Sequence, residues 1–167
     1  MSIDCLQTYM RKFGIKGRYG GALKLLILYS LKESPSYAYA LMRKIEDLTG
    51  FKPSSGAFFP LLRHLERHGL IESEEVDKDG RRIKVYRLSR RGLEFLEAHQ
   101  PQVQESLRLA KSFKKFNEMG CSRIFRVIGE LVENIDRLNE SQLEELRRVV
   151  LDFEYRVLGI LKGDVNV

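Results

Sequence analysis

The sequence predicts a mainly α-helical protein with one small β-hairpin, in which a basic N-terminal half is followed by a neutral, purely helical C-terminal region. Three observations carry this reading. Apolar residues recur at three- and four-residue spacing along most of the chain, the signature of helices with one buried face. A single Asp-Gly pair separates two short strand-like runs, residues 70–76 and 83–88, which is a strong hairpin signal. Charge is unevenly placed: residues 1–98 hold 18 Lys and Arg against 12 Asp and Glu, whereas residues 99–167 hold 11 of each, so the whole formal +6 lies in the first part.

Taken in order, residues 3–13 carry a short amphipathic pattern with Ile3, Leu6, Met10 and Phe13 on one side. A basic glycine-rich stretch, residues 14–21, cannot bury much and reads as a loop. Residues 22–31 are strongly apolar and read as a buried first helix, broken by Ser34-Pro35-Ser36. A second helix is expected over residues 37–49, with Leu41, Ile45 and Leu48 on one face and Gly50 as a left-handed cap. The third follows Pro53-Ser54-Ser55, where either serine can accept from the free amides of the first turn. Its apolar stripe is Phe58, Leu61, Leu62 and Leu65, Pro60 is tolerable only near its start, and Gly69 ends it. The hairpin comes next, joined by Asp77-Lys78-Asp79-Gly80, and Ser89 caps a fourth helix carrying Leu93 and Leu96.

Gln100-Pro101 marks the expected boundary, because a residue before proline is pushed out of the helical region. The organisation read is therefore an N-terminal segment, 1–20, a central domain, 21–99, and a C-terminal helical region, 100–167. Beyond Pro101 lie Val103, Leu107, Ala110 and Phe113, then Ile124, Ile128, Leu131 and Ile135, with Met119-Gly120 between them. Asn139 and Ser141 offer caps to a last helix, and Ser141 with Glu144 fits a capping box. Leu143, Leu146, Val150, Phe153, Val157 and Ile160 then alternate steps of three and four, the seam of helices that pack along their length. These six are the expected dimerisation residues.

Composition excludes several classes. The longest purely aliphatic run is Leu25-Leu26-Ile27-Leu28, far short of the ~20 residues of a membrane span. No signal-peptide pattern is visible at the N-terminus, and Cys5 and Cys121 are far apart, which suits free thiols in a reducing compartment; a cytoplasmic protein without membrane contact is expected. His64 and His68 stand at a metal-ligand spacing, but no carboxylate or cysteine completes a set. No nucleophile motif, phosphate-binding loop or dinucleotide fingerprint occurs, so neither enzyme nor cofactor is expected.

The order helix, helix, helix, strand, strand, helix is that of a helix-turn-helix followed by a wing. In such modules the third helix enters the major groove and the wing reaches the backbone or minor groove. Placing Phe58, Leu62 and Leu65 inward turns Gly56, Pro60, Arg63 and Arg67 outward, with Phe59 and His64 on the flanks. Arg63 is the candidate for a base edge, since guanidinium pairs bidentately with guanine. The small Gly56 and Ala57 let the helix N-terminus approach a phosphate closely. On the wing, Arg82, Lys84 and Tyr86 share one face of a two-stranded ribbon, and Arg81 and Arg82 sit at its expected tip.

These residues resemble the PadR family of winged-helix regulators over about residues 23–92. Leu25-Leu26-Ile27-Leu28 with Ser34-Pro35 is similar to that family's first helix and proline-containing turn. Tyr37-Ala38-Tyr39-Ala40-Leu41 aligns with its usual His-Gly-Tyr-Glu-Leu, keeping Tyr39 and Leu41, and Ser54-Ser55-Gly56-Ala57-Phe58-Phe59-Pro60 with its Ser-Pro-Gly-Thr-Leu-Tyr-Pro. Leu65-Glu66, Gly69-Leu70-Ile71, Gly80-Arg81 and Tyr86-Arg87-Leu88-Ser89 complete the match. The resemblance implies a sequence-specific regulator of transcription, taken as a repressor, that binds double-stranded DNA as a homodimer through its C-terminal helices. The DNA-binding residues implied or read are Tyr39, Ser54, Ser55, Gly56, Ala57, Phe59, Pro60, Arg63, Arg81, Arg82 and Lys84. Where the family's third-helix Thr and Tyr often hydrogen-bond to DNA, Ala57 and Phe59 cannot donate, which shifts contact to Arg63 and the wing. Some relatives bind small aromatic effectors; an effector of unknown identity stays open as a partner. The rival readings are a winged helix used for protein contact and one used for RNA.

Overall fold

A computed structural model describes residues 19–163 of the chain, apart from Asp79. The amphipathic pattern at residues 3–13 and the start of the glycine-rich stretch lie outside the described residues. The end of that stretch does not form a loop: the first helix, α1, runs over Tyr19–Glu33 and takes in Gly20 and Gly21. Leu25, Leu26, Ile27, Leu28 and Leu31 are all buried, so α1 is apolar nearly all round because it is the centre of its unit.

A two-residue strand, β1 (Ser36–Tyr37), precedes α2 (Ala38–Thr49), whose Leu41, Met42 and Ile45 are buried. Gly50 ends α2 at φ 73° and donates to Glu46 O, a left-handed cap that other residues adopt only with strain. Helix α3 covers Ser55–Arg67, capped by Ser54, whose side chain accepts from the amide of Ala57. Phe58, Leu62 and Leu65 are fully buried. The chain then leaves α3 through Gly69, with the amide of Leu70 donating to Leu65 O at 3.0 Å, and enters the hairpin.

Strands β2 (Ile71–Lys78) and β3 (Arg81–Leu88) pair antiparallel from Ile71↔Leu88 to Lys78↔Arg81, and β1 adds to the other edge of β3. Both strands run longer than the hydrophobic pattern indicates. Pairing continues out to Lys78↔Arg81, closer to the Asp-Gly pair than the apolar residues alone mark. The third strand is also absent from the sequence reading, since two residues are too few to show a period. At the base of the wing, Ser89 caps α4 (Arg90–Ala98) by accepting from the amide of Gly92 at 2.9 Å and donates to Gly69 O at 2.6 Å. Gly92 fits there for lack of a side chain: a Cβ would lie 2.0 Å from the carbonyl oxygen of Leu70.

The helix after Pro101 restarts at once: α5 is Gln100–Glu118, with proline in its first turn, where the missing amide costs nothing. Its Val103, Ser106 and Ala110 are buried against α1 and α2, Phe113 meets Phe51 edge to face at 6.2 Å, and Asn117 Nδ2 donates to Gly50 O at 2.8 Å. This helix therefore serves the core of the winged domain, and the compact unit runs on to Phe125. Helix α6 spans Arg123–Asn134 and crosses that division, so α5 does not lie in a separate C-terminal region as the boundary at 99/100 would have it.

The second unit begins at Arg126 and contains most of α6, a short turn of 3₁₀ helix (Ile135–Arg137) and α7 (Glu140–Lys162). Asn139 rather than Ser141 caps α7: its side chain accepts from the amide of Gln142 at 2.9 Å, and the Gln142 side chain accepts from the amide of Asn139 at 3.0 Å. The capping box is thus formed two residues earlier than expected. Along α7, Leu143, Val150, Phe153 and Ile160 are exposed, and Leu146 and Val157 are half-buried.

Candidate nucleic-acid interface

Helix α3 is held from one side and open on the other. Burial of Phe58, Leu62 and Leu65 fixes its rotation, and 100° per residue then places Gly56, Pro60, Arg63 and Arg67 together on the opposite face, all exposed. Arg67 belongs to this stripe one turn beyond Arg63, and its Nε donates to Arg63 O at 3.4 Å. Neither arginine has a carboxylate within ion-pair distance among the described residues. Arg67 shares the outward face in the sequence reading but is absent from the expected contacts; its spacing of four from Arg63 is the signal that places it there.

At the start of α3, Ser54 is engaged as the cap and Ser55 is exposed. The amide of Ala57 is taken up by the Ser54 cap, whereas those of Ser55 and Gly56 have no acceptor inside the helix and face the side from which an anion would come. A Cβ on Gly56 would touch nothing within 4 Å, so nothing within the described residues requires glycine at that position. Ala57 is half-buried, and Phe59 lies on the flank toward α2, where it meets exposed Tyr39 edge to face at 6.0 Å. Tyr39, from α2, and the α3 N-terminus are thus brought together.

The wing keeps the alternation read in sequence and adds carboxylates beside its cations. Alternation places Lys84 on the same face as Tyr86, which is buried, so Lys84 points toward α3 and its Nζ lies 2.9 Å from Glu66 Oε1. Ser73 donates to the same carboxylate. The hydrogen bond from Ser73 holds the Glu66 carboxyl below its usual range; partial burial opposes this and Lys84 adds to it. Lys84 is shifted upward, first by its bond to Glu66. Arg82 is exposed and 3.9 Å from Glu75, while Arg87 lies 3.4 Å from Glu72 and 3.5 Å from Glu74. Arg81 pairs with Lys78 in the last rung of the ladder, next to Arg82 at the tip of the wing; its side chain lies outside the described residues. The register therefore sets the cations of β3 beside carboxylates of β2, which reading β3 alone does not reveal.

On the other flank of α3, His64 and His68 stack with ring centroids 4.0 Å apart. Together with Lys24 from α1 and Leu70, Arg91, Glu94 and Phe95, they line an open hollow of about 350 Å³. Three elements bring these residues together, so spacing in sequence shows only the histidine pair. Among the described residues no group of three metal-ligating side chains occurs, and no helix is long and apolar enough to cross a membrane.

Residues 27–98 match the family model described as "Transcriptional regulator PadR-like family". Over 86 residues the chain is 34% identical to the transcriptional regulator YqjI of Escherichia coli (strain K12), covering 50% of this chain and 40% of that protein. The match thus spans about two fifths of the length of the curated relatives. Among solved structures, a PadR-family transcriptional regulator from Eggerthella lenta is 31% identical and covers 58% of this chain and 84% of that one, with a TM-score of 0.48. A PadR-family regulator from Clostridium difficile is 24% identical and covers 55% and 96%, with a TM-score of 0.46. Through residues 27–98 the chain is thus similar to the PadR-like family of transcriptional regulators.

Proposed function

We propose that this chain is a sequence-specific repressor that binds duplex DNA as a homodimer, with α3 in the major groove and the wing along the backbone or the adjacent minor groove. The observation that carries the proposal is the outward face of α3. A helix held by Phe58, Leu62 and Leu65 presents Gly56, Pro60, Arg63 and Arg67 to solvent, with neither guanidinium paired to a carboxylate among the described residues. Small residues at the N-terminal end and arginines further along are what a groove requires: close approach first, then donors for base edges and phosphates.

The division of labour follows from the charges. Arg63 is assigned to a base edge, and Ser54, Ser55, Gly56 and Ala57 to the nearest phosphate. Tyr39, Phe59 and Pro60 supply apolar contact, Phe59 to a thymine methyl. Arg81, Arg82 and Lys84 reach the backbone, Lys84 by exchanging Glu66 for a phosphate. The second copy is assigned to α7, whose apolar seam from Leu143 to Ile160 is largely exposed in the single chain. Two-fold symmetry then requires an inverted-repeat operator with half-sites about one helical turn apart, or a multiple of that. Selection of bound sequences from random duplex DNA tests this. An inverted repeat with that spacing is expected, and recovery of no common sequence would refute operator specificity.

A further inference from the structure

The hollow on the histidine flank of α3 has a composition that the groove face does not use. Its rim gathers basic side chains from three places: Lys24 on α1, His64 on α3 with His68 at the C-cap of that helix, and Arg91 on α4. Lys24 Nζ stands 4.1 Å from the centroid of the Phe95 ring, which forms an apolar side of the hollow and stacks on His99 at 4.1 Å. The one carboxylate there, Glu94, is paired with Arg90 at 3.2 Å, pointing its charge toward another cation. Neither Lys24 nor Arg91 has an ion-pair partner among the described residues. His68 Nδ1 donates to His64 O at 2.8 Å, so the neutral ring carries its proton on that atom and protonation adds a second donor at Nε2. His99 Nδ1 is likewise used, on Phe95 O at 2.8 Å.

The position matters as much as the charge. His64 follows Arg63 and His68 follows Arg67, so the hollow begins where the outward stripe of α3 ends. A helix lying in a groove has one phosphate backbone along each flank; on the other flank stand Tyr39, Glu66 and the wing, already assigned to the backbone on that side. We propose that Lys24, His64, His68 and Arg91 form a site for a phosphate group, normally a backbone phosphate of the bound duplex, whose grip strengthens as the two imidazoles become protonated. This rests on the DNA-binding reading above. In the free protein the groups acting on His64 all oppose its protonation, His68 foremost, then desolvation, Arg67 and Lys24. A phosphate placed among them reverses that balance, so binding takes up protons and, by linkage, is favoured by lower pH.

The test measures affinity for one duplex at fixed salt between pH 7.5 and 5.5, for the wild type and for His64→Gln with His68→Gln. Both rings are exposed, so the variant should fold. The wild type is expected to bind roughly five- to tenfold more tightly at the lower pH. The variant should lose that response while staying within about twofold of the wild type at pH 7.5. Imidazole resonances of the wild type, followed during addition of duplex DNA and separately of inorganic phosphate, identify the source of the phosphate. Movement of the His64 and His68 signals with DNA supports the backbone assignment. Movement with inorganic phosphate alone assigns the same site to a free phosphate and overturns the backbone source. An unchanged pH response in the variant, with both rings unmoved by either anion, overturns the site while leaving DNA binding at pH 7.5 intact. Absence of duplex binding at every pH would instead overturn the DNA-binding reading, and the inorganic-phosphate titration would still decide the site.

Discussion

Arg63→Ala separates recognition from folding more cleanly than any other single change. Arg63 is exposed, makes no ion pair among the described residues, and stands in the middle of a helix where alanine is a favourable residue. Folding stability should therefore stay within about 0.5 kcal/mol of the wild type. If Arg63 makes a bidentate contact to guanine, its loss costs about 1–3 kcal/mol on the preferred operator, a factor of roughly 5 to 150 in affinity. On a scrambled duplex only the general electrostatic contribution of one cation is removed, so the decrease should be several-fold smaller. The assay is a pair of titrations at one salt concentration, operator against scrambled duplex, for both proteins, with a thermal melt to confirm the fold. The ratio of the two affinities should fall by about tenfold, and choice should relax at one base pair in each half-site. If the ratio survives the substitution, Arg63 touches phosphate or solvent, and the assignment of base reading to this face of α3 is wrong.

Other changes probe the remaining parts. Leu146→Asp with Phe153→Asp should convert dimers to monomers in sedimentation, because two unpaired carboxylates in an apolar seam are very costly to bury; an unchanged dimer would remove α7 from the interface. Arg81→Ala with Arg82→Ala should weaken binding to all duplexes similarly and lower the slope of log affinity against log salt by about one for each phosphate no longer neutralised. A weakening confined to one operator with the slope intact would make the wing a base reader. Gly92→Ala should destabilise the fold by about 2–4 kcal/mol, seen as a melting temperature lower by about 10 °C or more, because its Cβ would meet the Leu70 carbonyl that accepts from Ser89. Gly56→Ala should leave stability equal or slightly higher and weaken DNA binding, since nothing among the described residues occupies the space its Cβ would take.

Much of the fold is legible in the sequence because its elements follow local rules. Leu41 and Ile45, Phe58 with Leu62 and Leu65, and the caps at Ser54, Gly50 and Ser89 are set by helical spacing and by donors and acceptors a few residues apart. What escapes depends on contacts between segments distant in sequence. Strand β1 exists only because Ser36 and Tyr37 find the free edge of β3. Pro101 serves equally to stop a helix and to start one, and only the burial of Val103 and Ala110 against α1 and α2 shows that α5 belongs to the winged unit. The outward face of α3 is readable from rotation alone, apart from the share taken by Arg67. The wing is not: its cations are tempered by Glu66, Glu72, Glu74 and Glu75, and a register is needed to see which carboxylate faces which cation. The Lys24, His64, His68 and Arg91 cluster escapes for the same reason.

The most direct test of the central claim is the affinity of this chain for its selected operator, for a scrambled duplex and for double-stranded RNA of the operator sequence, each measured against salt. The account predicts tight operator binding and weaker binding to the scrambled duplex, both falling steeply and linearly in log affinity against log salt, with RNA no better than the scrambled DNA. Equal affinity for all three, or binding that ignores salt, would contradict it.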